Sequence, residues 1–157
     1  QATTLIGGGA GDLLYAQSGN VSLRGAYGTT LLWAAGGVSV NGFAIAAATS
    51  GDTIDAGAAV GATIAGAVSG GNTIISGSGS AEVFGNHGAQ GGNFYMDGVA
   101  GGSMTIMDFD ALDTFHLSGT QLVAGVSGSV VTLTDGTRVT IGDGFINAAN
   151  AGQYFHG

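Results

Sequence analysis

Side chains able to do acid–base or nucleophilic chemistry are few in this chain and widely spaced. His87, His116 and His156 are its three histidines, and ten Asp and Glu residues supply carboxylates. Nucleophilic catalysis needs a serine or cysteine beside a base and an orienting acid. The chain has no cysteine, and no Gly-x-Ser-x-Gly turn presents any of its serines. His87 lies in the glycine-rich Phe84-Gly85-Asn86-His87-Gly88 turn, and His116 alternates with Phe115 and Leu117, so both read as exposed positions. No His-Glu-x-x-His or other close histidine pair has zinc spacing. Asp108 with Asp110, or Asp52 with Asp55, supplies the paired carboxylates that glycoside cleavage uses. Such a site also needs an aromatic-lined groove with basic residues, and only Trp33 and scattered Tyr and Phe are at hand. The glycine runs lack the Lys-Ser/Thr and the following helix of a phosphate loop. The residues therefore predict no enzymatic activity.

What remains is a chain built for backbone pairing. Its 157 residues match one ordinary domain, and its 33 glycines with no proline suit short strands and tight turns rather than helices. Against ten acidic groups stand only Arg24 and Arg138, giving a net charge of −8. That balance excludes nucleic acid and anionic membrane surfaces as partners, since both require clustered Lys and Arg. The most apolar stretch, residues 43–68, is interrupted by Asp52 and Asp55, so no membrane insertion is expected. A chain opening on Gln1 is expected to be a processed form or a piece of a longer protein.

Periodicity carries the fold expectation. Asp52-Thr53-Ile54 recurs as Ala62-Thr63-Ile64 and as Asn72-Thr73-Ile74, ten residues apart each time. Similar apolar pairs or alternations occur at Leu13-Leu14, Val21-Ser22-Leu23, Leu31-Leu32, Val83-Phe84, Phe94-Tyr95 and Phe115-His116-Leu117, separated by glycine joints. A strand of this length cannot bury its apolar side chains alone, but stacked turns build a continuous core. Regular short strands also describe a sandwich, but the near-copies favour an all-β fold: a β-solenoid or β-roll over residues 1–107. With two strands per turn, Ile54 and Ile74 line one wall and Ile64 the other. Two alternating strands around Asp135-Gly136 read as a hairpin, so residues 108–157 are expected to form a C-terminal β cap.

Gly7-Gly8-Gly9-Ala10-Gly11-Asp12-Leu13-Leu14-Tyr15 resembles the nonapeptide of the RTX, or haemolysin-type, β-roll, departing from it at Ala10. The run Ile106-Met107-Asp108-Phe109-Asp110 through Asp113-Thr114-Phe115-His116-Leu117 is similar to the segment that follows the repeats in that family. The resemblance implies secretion and folding outside the cell, usually driven by calcium. The family's ligand slot, its sixth position, aligns here with Asp12, Asp52, Ala62, Asn72, Glu82, Asn93 and Asp113. Alanine cannot ligate, so a ladder of ions is not expected. No cofactor is required, and Ca2+ at one or two sites is the residual expectation: Asp108, Asp110 and Asp113 for one, Asp12 for another. The competing reading makes these carboxylates turn caps.

The leading expectation is a secreted structural protein that assembles with itself into a filament, matrix or surface layer by stacking. In the register expected from the repeat, Leu13, Val83 and Phe94 are apolar and face outward, and such positions mark contacts. Alternatives are the repeat and secretion module of a larger adhesin or exported enzyme, and an ice-binding surface built on Thr53, Thr63 and Thr73.

Overall fold

The computed structural model describes residues 3–6, 13–15, 21–24, 29–33, 39–40, 43–44, 53–55, 61–65, 71–77, 80–85, 91–98 and 100–157. Its first strands are β1 (Thr3–Ile6), β2 (Leu13–Tyr15), β3 (Val21–Arg24), β4 (Thr29–Trp33), β5 (Ser39–Val40), β6 (Phe43–Ala44), β7 (Thr53–Asp55) and β8 (Gly61–Ala65). There follow β9 (Thr73–Ser76), β10 (Ser80–Phe84), β11 (Phe94–Asp97), β12 (Ser103–Ile106), β13 (Thr114–His116), β14 (Val123–Ser127), β15 (Val130–Leu133) and β16 (Arg138–Ile141). A short helix, α1 (Ala151–Tyr154), and β17 (Phe155–His156) complete the order.

A seven-stranded, all-parallel sheet has the order β1-β3-β7-β9-β11-β13-β17. An eight-stranded sheet has the order β14-β15-β16-β12-β10-β8-β4-β2; it is parallel from β2 to β16 and antiparallel in β16-β15-β14. β5 and β6 form a separate antiparallel pair.

Register turns the sequence alternation into rows. In the parallel sheet Leu5, Leu23, Ile54, Ile74, Tyr95, Phe115 and Phe155 are successive Cα partners. In the mixed sheet Leu14, Leu32, Ile64, Val83, Ile106 and Ile141 are. Ile54, Ile64, Ile74, Val83, Tyr95, Ile106, Phe115 and Ile141 are completely buried and belong to one core. Each fully buried Ile, Val or Phe contributes about 1.5–3 kcal/mol relative to exposure, so the two rows dominate the energetics. Ile54 and Ile74 thus share one sheet and Ile64 lies in the other.

The expected fold class is corrected. One sheet is all-parallel, the other is mixed, and a small helix is present, in place of an all-β β-solenoid or β-roll followed by a hairpin or cap. Residues expected to lie across the end as a cap extend both sheets: β13 and β17 continue the parallel sheet, and β16 pairs in parallel with β12. The hairpin at Asp135-Gly136 does form, with Gly136 at φ 90°, but its second strand is an interior member of the mixed sheet. The last residues supply an aromatic plug: Phe109 sits 5.7–6.3 Å, ring to ring, from Tyr95, Phe145, Tyr154 and Phe155. Phe115 stacks on Phe155 at 4.9 Å.

Two glycines separate steric from conformational need. A Cβ on Gly92 would lie 1.6 Å from the Leu112 carbonyl oxygen, whereas Gly101, at φ 78°, faces open space. Gly92→Ala is expected to cost about 3 kcal/mol through forced backbone displacement. Gly101→Ala should cost about 1–2 kcal/mol, the left-handed penalty alone. Urea unfolding of both variants measures the difference; equal losses would contradict it.

Candidate functional site

Polar chemistry is concentrated at two corners where the chain enters and leaves the parallel sheet. At the entry corner, Asn72, Asn93 and Asp113 immediately precede β9, β11 and β13, and the pairing of Thr73, Phe94 and Thr114 sets them in adjacent rungs. Strand spacing of about 4.8 Å puts each side chain within reach of the next rung's backbone. Asn93 Oδ1 accepts from the Asn72 backbone N–H at 3.0 Å and from Asn72 Nδ2 at 2.8 Å. Asp113 Oδ1 accepts from the Asn93 N–H at 2.6 Å, and its Oδ2 accepts from the Asp110 N–H at 3.1 Å. Asn72 and Asn93 are 0% exposed and Asp113 is 2% exposed. Each carbonyl or carboxylate oxygen there answers a donor that would otherwise be buried without a partner.

Tyr95 closes this corner. Asn93 Nδ2 donates to its hydroxyl at 3.4 Å, and Gly85 lies so close that a Cβ there would approach the hydroxyl to 2.0 Å. Burial, then the charges of Asp113 and Asp108, push the phenol well above its ordinary pKa, so it stays protonated.

The sequence-predicted metal residues therefore have structural partners. Asp108 Oδ1 accepts from the Gly85 N–H at 2.7 Å, and Asp110 Oδ1 from the Leu112 N–H at 2.7 Å. Asp110 and Asp113 share one turn, while Asp108 reaches a different loop. Among the described residues no three His, Asp or Glu side chains form a group able to hold a metal ion. Asp12 and Asp52 lie outside the described residues, as does His87. His116 and His156 are exposed.

Register also re-sorts the aligned ligand slot. Asn72, Asn93 and Asp113 belong to the parallel sheet, whereas Ala62 pairs with Ala81, and Glu82 with Thr63, in the mixed one. The drift from Asp52 through Ala62 to Asn72 mixes two walls. Of the predicted contacts, Val83 is corrected: it is 0% exposed, partnered with Ile64 and Ile106 in the inner row. The repeat misplaced it because the partnered residues of β8 and β10 are 19 positions apart and not 20, so the slot of Ala62 falls on Ala81 and that of Ile64 on Val83. Phe94 is 51% exposed on the outer face, and Leu13 shares a register position with Leu31, Thr63 and Glu82.

At the exit corner lies a constellation with no motif behind it. Asp97, 7% exposed, ends β11. Its Oδ2 accepts from Gln121 Nε2 at 2.7 Å and from Thr137 Oγ1 at 3.2 Å. The same Gln121 nitrogen donates to Asp135 Oδ2 at 2.5 Å. Asp135 Oδ1 accepts from the Thr137 N–H at 2.9 Å, and Thr137 Oγ1 accepts from the Gly101 N–H at 3.1 Å. Burial raises the Asp97 pKa, and the nearby Asp135 charge adds to this. Asp135 also feels desolvation, but donation from Thr137 and Gln121 outweighs it and lowers its pKa. Asp97 and Thr137 are 40 residues apart in sequence, so only the non-local pairing of β16 with β12 could have announced the contact.

Compared with known proteins, the chain matches no family model, no curated protein and no solved structure.

Two outcomes follow from the corners. Asn93→Ala strands the Asn72 N–H and should destabilise the protein by about 1–3 kcal/mol; urea denaturation reads the loss, and a value near zero would contradict the ladder. At the exit corner, the folded state binds the Asp97 proton more tightly than the unfolded state does. That contribution is complete below the ordinary value of 3.8 and is lost as pH rises through the raised one. Asp97→Asn should therefore raise Tm at neutral pH, with the gain shrinking in acid; melting curves across pH check this.

Proposed function

We propose that the chain is an extracellular structural module that associates with copies of itself through the strand edges at its β1–β2 end. The observation that carries the reading is the contrast between the two ends. β1 (Thr-Thr-Leu-Ile) and β2 (Leu-Leu-Tyr) are the outermost strands of the two sheets at one end and contain neither charge nor proline. Ile6 on β1 is 68% exposed. Edge strands without charge or proline are templates for pairing with another chain. The opposite end carries the antiparallel β14-β15 hairpin, α1 and the aromatic cluster.

Pairing at one end alone closes two copies about a two-fold axis. Extension into a filament or layer would then use a second contact, and Phe94 offers one, exposed on an outer row with Thr53, Thr73 and Thr114. The RTX resemblance supports an extracellular location, and the scarcity of Lys and Arg leaves few tryptic sites. No helix among the described residues is long and apolar enough to cross a membrane. No catalytic role is proposed.

The same asymmetry favours a second reading, in which the chain is the repeat and secretion module of a larger adhesin or exported enzyme, with further strands of that protein seated on β1 and β2. Sedimentation across a wide concentration range separates the two. Self-association predicts dimers or larger species that Ile6→Lys returns to monomers. Monomers at every concentration would overturn it and leave the second reading.

A further inference from the structure

We propose that Asp97, Asp135 and Ser76 form a site for a hard divalent cation of the size of Ca2+, at the seam between the parallel sheet and the Asp135-Gly136 hairpin. Ser76 and Asp97 are Cα partners on β9 and β11, and both fall on the buried side of their strands. Ser76 is 1% and Asp97 7% exposed. Among the described residues, Ser76 Oγ and Asp97 Oδ1 have no hydrogen-bond partner. Two orphaned oxygens on paired residues are rare in a folded interior, because each costs its full desolvation penalty. Such orphans, one of them a carboxylate oxygen, mark a place where a ligand belongs.

The carboxylates give that ligand its sign. Asp97 and Asp135 both converge on the single neutral amide nitrogen of Gln121, and the network of Asp97, Gln121, Asp135 and Thr137 contains no Lys, Arg or His. Thr137 N–H fixes the Asp135 carboxylate, and Gly101 N–H fixes the Thr137 hydroxyl, so the acidic groups are held before any ligand arrives. Carboxylate, hydroxyl and carboxamide oxygens are the donors hard cations take, and Ca2+ tolerates irregular sets of them better than Mg2+ does. Gln121 is held in place, its Oε1 accepting from the Ser118 N–H at 3.2 Å while its Nε2 donates to both carboxylates. None of these residues occupies the repeat's ligand slot. The cation would bridge β11 to the hairpin turn and so fasten the mixed sheet's antiparallel end to the parallel sheet.

The test is thermal unfolding of the whole chain in EDTA, in CaCl2 and in MgCl2, with calorimetric titration of CaCl2. Ca2+ is expected to raise Tm, more than Mg2+ does, with one ion bound per chain. Asp97→Asn, expected to fold at least as stably as the parent in EDTA, should lose the Ca2+ shift. Ser76→Ala should weaken Ca2+ binding several-fold. Asp110→Asn, which touches only the other corner, should keep the shift. No Ca2+ response in the parent chain, or a response unchanged in Asp97→Asn, would overturn the proposal. So would loss of the response in Asp110→Asn with retention in Asp97→Asn.

Discussion

Side-chain oxygens that answer backbone N–H groups in the adjacent rung are the constraint on which this structure rests. A parallel sheet made of strands two to four residues long has many chain reversals per unit of core, and every reversal threatens to bury a donor without a partner. Asn72, Asn93 and Asp113 solve this for the described rungs of the parallel sheet: each sits just before its strand, and Asn93 and Asp113 accept from the backbone of the rung before. With those donors satisfied, the rows of Ile54, Ile74, Tyr95 and Phe115 can stack without interruption. Glycine completes the device. Gly92 lets the Leu112 carbonyl approach, and Gly85 leaves room for the Tyr95 hydroxyl.

The two corners differ in kind. At the entry corner every described polar group has a partner, as expected of a structural element. At the exit corner a carboxylate is held where burial raises its pKa, one of its oxygens has no partner, and a second carboxylate stands nearby.

Much of the local structure was legible in the sequence and much of its long-range order was not. The inward isoleucines at 54, 64 and 74 follow from alternation, and the hairpin follows from Asp135-Gly136 between two alternating strands. The fold class failed because the ten-residue repeat was read as solenoid coils, whereas one sheet is all-parallel, the other is mixed and a small helix is present. The residues after Asp108 add β13 and β17 to one sheet and β16 to the other, and a strand's neighbour in a parallel sheet is not its neighbour in sequence. Val83 failed for a related reason: a one-residue shift in register moves a side chain to the other face. Asp110 and Asp113 share one turn while Asp108 reaches a different loop, and the hydrogen bonds of all three to backbone N–H groups are those of the turn-cap reading. Asp97 carried no signal at all, since its partners Gln121 and Thr137 lie 24 and 40 residues away.

Amide hydrogen exchange, resolved by residue, tests the central role of the polar rungs most directly. If side-chain oxygens at the entry corner hold the parallel sheet together, the backbone N–H groups of Asn72 and Asn93 should exchange only with global unfolding, as slowly as those of Ile74 and Tyr95. Exchange at the rate of the exposed turn amides near Gly119 and Gly128 would show that the corner opens independently of the sheet and would contradict the account.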